Sequence, residues 1–183
     1  MVTTESLLGA LRKGIGRGHR TLVSVTAPVE IDDPCAVVFA SRLASDRWFC
    51  WEQPDRAFAL AGMGVAREAG GRGSRRFAEV AAEIGRAGRD AVIEEPRGLP
   101  AGAGVVWLGG FAFDSEGGGS GIWSSFEPGS MFLPEVSMCR AGEERFLTVN
   151  AIVGPGDDAE RRAAELGARL AGLRADATLP LLD

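Results

Sequence analysis

The 183 residues make a 19.2 kDa chain that is 45% hydrophobic and 25% charged, enough apolar material to bury a core and far from the composition of disordered chains. Twenty Lys+Arg against 25 Asp+Glu give a formal net charge of −5, which leaves no basic face for nucleic acid. No apolar run reaches the roughly 18 residues of a bilayer span, and the first residues lack a basic segment followed by an apolar one, so a cytoplasmic protein without a membrane partner is expected.

In chain order, Thr4 caps a first helix whose Leu7, Leu8 and Leu11 share one face and which ends in the glycine-rich residues 14–18. Residues 21–29, rich in β-branched side chains, read as a strand, and Asp33-Pro34 opens a helix through about Leu43. Residues 47–52 and 58–65 flank Gln53-Pro54-Asp55-Arg56 and predict a β-hairpin. Ser74 caps a helix with Phe77, Val80, Ala81 and Ile84 at three- and four-residue spacing, ending near Gly85 and Gly88.

Residues 105–113 are apolar almost throughout, the pattern of a central strand covered on both faces, and 115–121 read as a surface loop. Residues 131–139 and 144–153 form a further antiparallel pair joined near Arg140-Ala141-Gly142. After Gly154-Pro155-Gly156, Asp157 or Asp158 starts a last helix with Ala163, Leu166, Leu170 and Leu173 inward. Hairpins dominate and no βαβ order repeats. The fold class is α+β, one domain over residues 1–183 with helices packed on an antiparallel sheet.

Chemistry is sparse. Gly62-Met63-Gly64 lacks the third glycine of a dinucleotide fingerprint and instead marks a strand closely approached by a neighbour. Ser120 has Ile122 where a nucleophile elbow needs glycine two residues on. His19, the one histidine, sits in a solvated loop, and Lys13, the one lysine, ends a helix where a cation is favoured. Cys35, Cys50 and Cys139 read as small buried hydrophobes without a redox role. The carboxylates are scattered as turn residues and caps, with no magnesium cage or acid–base pair.

The distinctive residues are Phe49-Cys50-Trp51-Glu52-Gln53-Pro54-Asp55-Arg56, then Phe58-Ala59-Leu60-Ala61-Gly62-Met63-Gly64, Trp107-Leu108-Gly109-Gly110-Phe111-Ala112-Phe113-Asp114 and Phe132-Leu133-Pro134-Glu135. From about Asp33 to Leu173 they resemble the amino-terminal half of isochorismate synthases, within the chorismate-binding enzyme family that includes anthranilate synthases. The resemblance implies an anthranilate synthase-like fold and chorismate as the substrate of the complete enzyme. It also implies magnesium held in a carboxyl-terminal catalytic half that this sequence lacks.

The chain is therefore expected to be an inactive amino-terminal fragment that packs on its own catalytic half, with no catalytic, cofactor or metal residue of its own. The parent enzyme would supply menaquinone or siderophore biosynthesis. Another chorismate user, or a free-standing binding module, is the alternative. Trp51, Glu52, Gln53, Pro54, Asp55, Arg56, Gly109, Gly110, Phe111, Phe113 and Asp114 are read as structural. Trp51 and Phe49 would be core, Glu52 would pair with Arg56 across the turn, and Trp107, Phe111 and Phe113 would fill one face of a central strand. Truncation would expose Met131, Phe132, Leu133 and residues 179–182 and drive self-association.

Overall fold

Two caps set the first helices of this computed structural model, which describes residues 1–117, 121–123 and 126–178. Thr3, one residue earlier than expected, caps α1 (Thr4–Ile15): its Oγ1 accepts the Ser6 N–H at 3.1 Å while its own N–H donates to Ser6 Oγ at 3.1 Å. Strand β1 (Thr21–Pro28) follows. Asp33 Oδ1 accepts the Ala36 N–H at 2.9 Å and fixes α2 (Pro34–Ser41), as the Asp-Pro pair predicts.

The hairpin is β2 (Trp48–Gln53) and β3 (Phe58–Met63), joined by a 3-10 turn over Pro54–Arg56 that ends with Ala57 in the left-handed region. Next come β4 (Arg67–Gly71), α3 (Arg76–Gly88) and β5 (Val92–Glu94). Ser74 does not cap α3; it lies in a short 3-10 turn, and Arg75 at the helix start makes no side-chain cap. Neither β4 nor β5 is legible in the sequence, the first being glycine-rich and the second three residues long.

The second half differs most from expectation. Residues 105–113 are not a central strand covered on both faces: only β6 (Leu108–Phe111) is extended, at a sheet edge, and its last three residues are exposed. Pro134 splits the run 131–139 into β7 (Gly129–Leu133) and β8 (Val136–Ala141), because proline donates nothing to a ladder. Strand β8 does pair with β9 (Glu144–Val153), and Asp158 caps α4 (Ala159–Ala171) through the Arg161 N–H at 2.9 Å.

The strands make a six-stranded sheet, β2-β3-β8-β9-β1-β5, and a three-stranded sheet, β4-β7-β6. All pairings are antiparallel except β1 with β5. Period-two alternation sends Val23, Val25, Ala61, Met138, Val149 and Val153 to one face, where Leu7, Leu11, Val37, Val38, Ala163 and Leu166 of three helices cover them. The opposite face carries Leu60 and Cys139, packed with Leu108 and Phe132 of the smaller sheet. At Gly62 a Cβ would lie 2.7 Å from Leu108 Cδ1 and 2.9 Å from Pro134 Cβ, so the sheets meet where the side chain is missing. The fold is α+β, with helices packed on an antiparallel sheet.

Candidate functional site

Strand β2 decides what its motif residues face. Cys50 and Glu52 point to the helical side, so Phe49, Trp51 and Gln53 point to the other, where they wall a groove of about 610 Å³. Trp51 lies opposite Leu60 in the ladder and packs edge-on against Phe58, with ring centroids 5.9 Å apart. The far wall comes from residues 101–109, including Trp107 and Leu108. Gly102 adopts φ +94° under the Phe58 ring, where a Cβ would come within 2.8 Å of Cζ.

Two motif segments remote in sequence, 51–56 and 107–109, thus form one site. Among the described residues its walls offer aromatic surface, Gln53 and Arg56, and no carboxylate, thiol or imidazole. Such an aromatic surface is suited to binding or packing. A larger cavity of about 680 Å³, lined by Val2, Val29, Ile31 and Leu170 among others, contains none of the motif residues.

Trp51 is 49% exposed and Phe49 only half-buried, so neither is core; among the described residues β2 is an edge strand of the larger sheet. Glu52 pairs with Arg140 at 2.6 Å, across β3, rather than with Arg56, which turns to the groove. Pro54 opens the 3-10 turn, with Asp55 exposed in it. Gly109 is needed where it stands, because at φ +146° a Cβ would overlap the Ser130 carbonyl oxygen, whereas Gly110 is open.

Phe111 is 38% exposed and lies against Phe77 of α3 at 4.5 Å, and Phe113 is fully exposed. Phe77, expected inside, is itself exposed. Asp114 shapes the following turn by accepting the Glu116 N–H at 2.8 Å. Phe132 and Leu133, expected on the surface, are buried and Met131 is half-buried, while the predicted 179–182 patch and Ser120 lie outside the described residues.

On the helical side, ligating atoms of Asp33, Cys35 and Glu52 lie within 4.8 Å of one another, a grouping the sequence spacing does not suggest. It does not fit magnesium, which takes a shell of oxygens: one member is a thiol, Asp33 caps α2, and Glu52 holds Arg140. Beside it the half-buried Cys50 thiol donates to the Cys35 carbonyl at 3.7 Å. Contact with the Cys50 thiol, and then burial, raises the Cys35 thiol above its ordinary pKa. The same contact lowers Cys50, against opposing burial. Burial alone pushes Cys139 up to about 11.

His19 is exposed, 3.6 Å from Asp90, and Lys13 pairs with Glu94 at 2.6 Å, so both sit as the sequence predicts. Among the described residues no helix is long and apolar enough to cross a membrane.

Comparison with known proteins bears on this geometry. The family profile described as chorismate binding enzyme matches residues 9–180. Isochorismate synthase MenF of Bacillus subtilis is 30% identical over 171 residues, 87% of this chain and 36% of that protein. The salicylate biosynthesis isochorismate synthase of Pseudomonas aeruginosa is 32% identical over 164 residues, 87% of this chain and 33% of that protein. The chain spans about a third of the length of the curated relatives it matches. The menaquinone-specific isochorismate synthase MenF of Escherichia coli shares the fold, with a TM-score of 0.54 at 14% identity over 98% of this chain and 36% of that one.

Proposed function

The chain belongs to the chorismate-binding enzyme family, and on that premise we propose that it is the amino-terminal portion of an isochorismate synthase. The complete enzyme would add water at one carbon of the chorismate ring and expel the hydroxyl from another, which leaves the atoms of substrate and product balanced. Two curated isochorismate synthases at 30% and 32% identity support this reading over other chorismate users. The product would feed menaquinone or siderophore synthesis, and a magnesium requirement would be met by residues outside this chain.

The part played by this portion is to bind and cover. The observation that carries this is the aromatic groove: residues of the family motif face outward, with Trp51 49% exposed, where a structural core would bury them. The groove would be closed by the catalytic portion, which shields apolar surface and keeps water from the reaction. The 183 residues form one domain of that larger enzyme and have no turnover alone.

Product analysis tests the assignment. The complete enzyme given chorismate should yield isochorismate whether or not ammonia is present; an ammonia-dependent aminated product would instead make it an anthranilate- or aminodeoxychorismate-type synthase. The 183-residue chain alone should leave chorismate unchanged, and measurable turnover would overturn its non-catalytic part. A native reading frame that stops at Asp183, with no partner chain restoring activity, would favour a separate binding module.

A further inference from the structure

Among the described residues two thiols stand together on the helical side of β2. Cys35 is buried in the first turn of α2, and Cys50 is half-buried on the edge strand, its Sγ 3.7 Å from the Cys35 carbonyl. Fourteen intervening residues separate them in sequence, so the contact exists only because α2 packs over β2 and β3. We propose that Cys50 and Cys35 are a peroxide-reactive dithiol that closes to an intramolecular disulfide.

The two cysteines differ in the way the reaction needs. Cys50 is half-buried, and its thiolate is favoured first by the Cys35 thiol and also by the guanidinium of Arg42, with burial, Asp33 and Glu52 opposing. Cys35 is kept as a protonated thiol by the same contact and by burial. Arg42 is held in place over the rings of Phe39 and Trp48, at 3.8 and 4.9 Å from their centroids. Cys139, buried on the opposite face with its thiol raised to about 11, is an internal control.

The Cys50 thiolate attacks one oxygen of hydrogen peroxide or an alkyl hydroperoxide. The O–O bond breaks, the sulfur becomes a sulfenic acid, and the other oxygen leaves, once protonated, as water or alcohol. The Cys35 sulfur then attacks the Cys50 sulfur. The S–S bond forms, the S–O bond breaks, and the hydroxyl departs as water with the Cys35 proton. Two thiols are oxidised and one peroxide is reduced. The bond ties α2 to the strand that carries Phe49 and Trp51, so oxidation stiffens one wall of the groove.

The test is exposure of the reduced 183-residue chain to one equivalent of hydrogen peroxide, followed by alkylation and peptide mass spectrometry. The expected result is a Cys35–Cys50 linked peptide from monomeric chain, formed more than about tenfold faster than any oxidation of Cys139. In Cys35→Ser, a sulfenic acid trapped by dimedone should accumulate on Cys50. In Cys50→Ser, Cys35 should stay reduced. The wild-type measurement decides the matter even if a variant fails to fold. Absence of the linked peptide from folded chain, oxidation of Cys139 at a matching rate, or disulfides formed only between chains would overturn the proposal.

Discussion

Asn150 on β9 reaches across to the break between the two sheets: its Nδ2 donates to the Pro134 carbonyl at 2.9 Å, and its backbone N–H donates to the Glu135 carbonyl at 2.8 Å. The side chain is fully buried. One residue thus satisfies two carbonyls at the point where the chain leaves the small sheet for the large one. A bend without ladder partners becomes tolerable inside the protein.

Replacing Asn150 with Ala removes the side-chain donor and leaves a buried carbonyl unpaired. The expected cost is about 1 to 3 kcal/mol, read as a lower urea midpoint at unchanged slope. An unchanged midpoint would mean that water replaces the amide.

Gly62→Ala should destabilise by about 1 to 3 kcal/mol, since the new methyl meets Leu108 and Pro134 at the contact between sheets. Gly70→Ala is the control: its Cβ would meet nothing nearer than the Gly129 carbonyl oxygen at 3.7 Å. Thermal unfolding of the two variants compares them directly, and equal midpoints would dismiss the close approach.

Burial reverses the energetic ranking that the sequence suggests for the aromatic motif. Trp51→Ala should cost only about 1 kcal/mol in this chain, mainly its edge-on contact with Phe58. Leu133→Ala, at a fully buried position, should cost about 2 to 5 kcal/mol. Denaturant titrations showing Trp51→Ala as the more damaging change would place Trp51 in the core after all.

Glu83 on α3 accepts from Arg67 on β4 and from Arg86, and these hydrogen bonds hold its carboxyl below the ordinary carboxylate range. A depressed folded-state value contributes stability above the unfolded value, about 4.3, that is lost as pH falls through the folded one. The site is partly exposed, so Glu83→Gln should cost a few tenths to about 1 kcal/mol at pH 7. The gap to wild type should close on acidification, and a constant gap from pH 7 to pH 3 would refute the assignment.

The outward-facing aromatic residues predict how the chain behaves in solution. Trp48, Trp51 and Phe111 are exposed, and β2 is an edge of the larger sheet, a combination that favours pairing with another copy. Sedimentation across a concentration series should show reversible self-association that Trp51→Ala or Trp48→Ser weakens. A strictly monomeric chain would mean that this surface needs no cover.

Much was determined by the sequence alone, because the physics there is local. Asp33 and Asp158 cap helices through their own side chains, the alternation of β1, β3 and β9 selects a buried face, and the Phe49 to Arg56 run carries the family resemblance. Other features rest on partners distant in the chain. Residues 105–113 look like a central strand, yet Gly109-Gly110-Phe111 lie on the edge of a three-stranded sheet and gain no second cover. Run 131–139 looks continuous until Pro134 sends its halves into different sheets. Trp51 and Phe49 have the composition of a core and the position of a surface, since hydrophobicity states a preference for burial while the neighbouring strand order decides whether anything arrives to supply it. Only the tertiary structure joins Cys35 to Cys50 and Gln53 to Trp107, because a contact across elements is set by packing, which spacing along the chain does not encode.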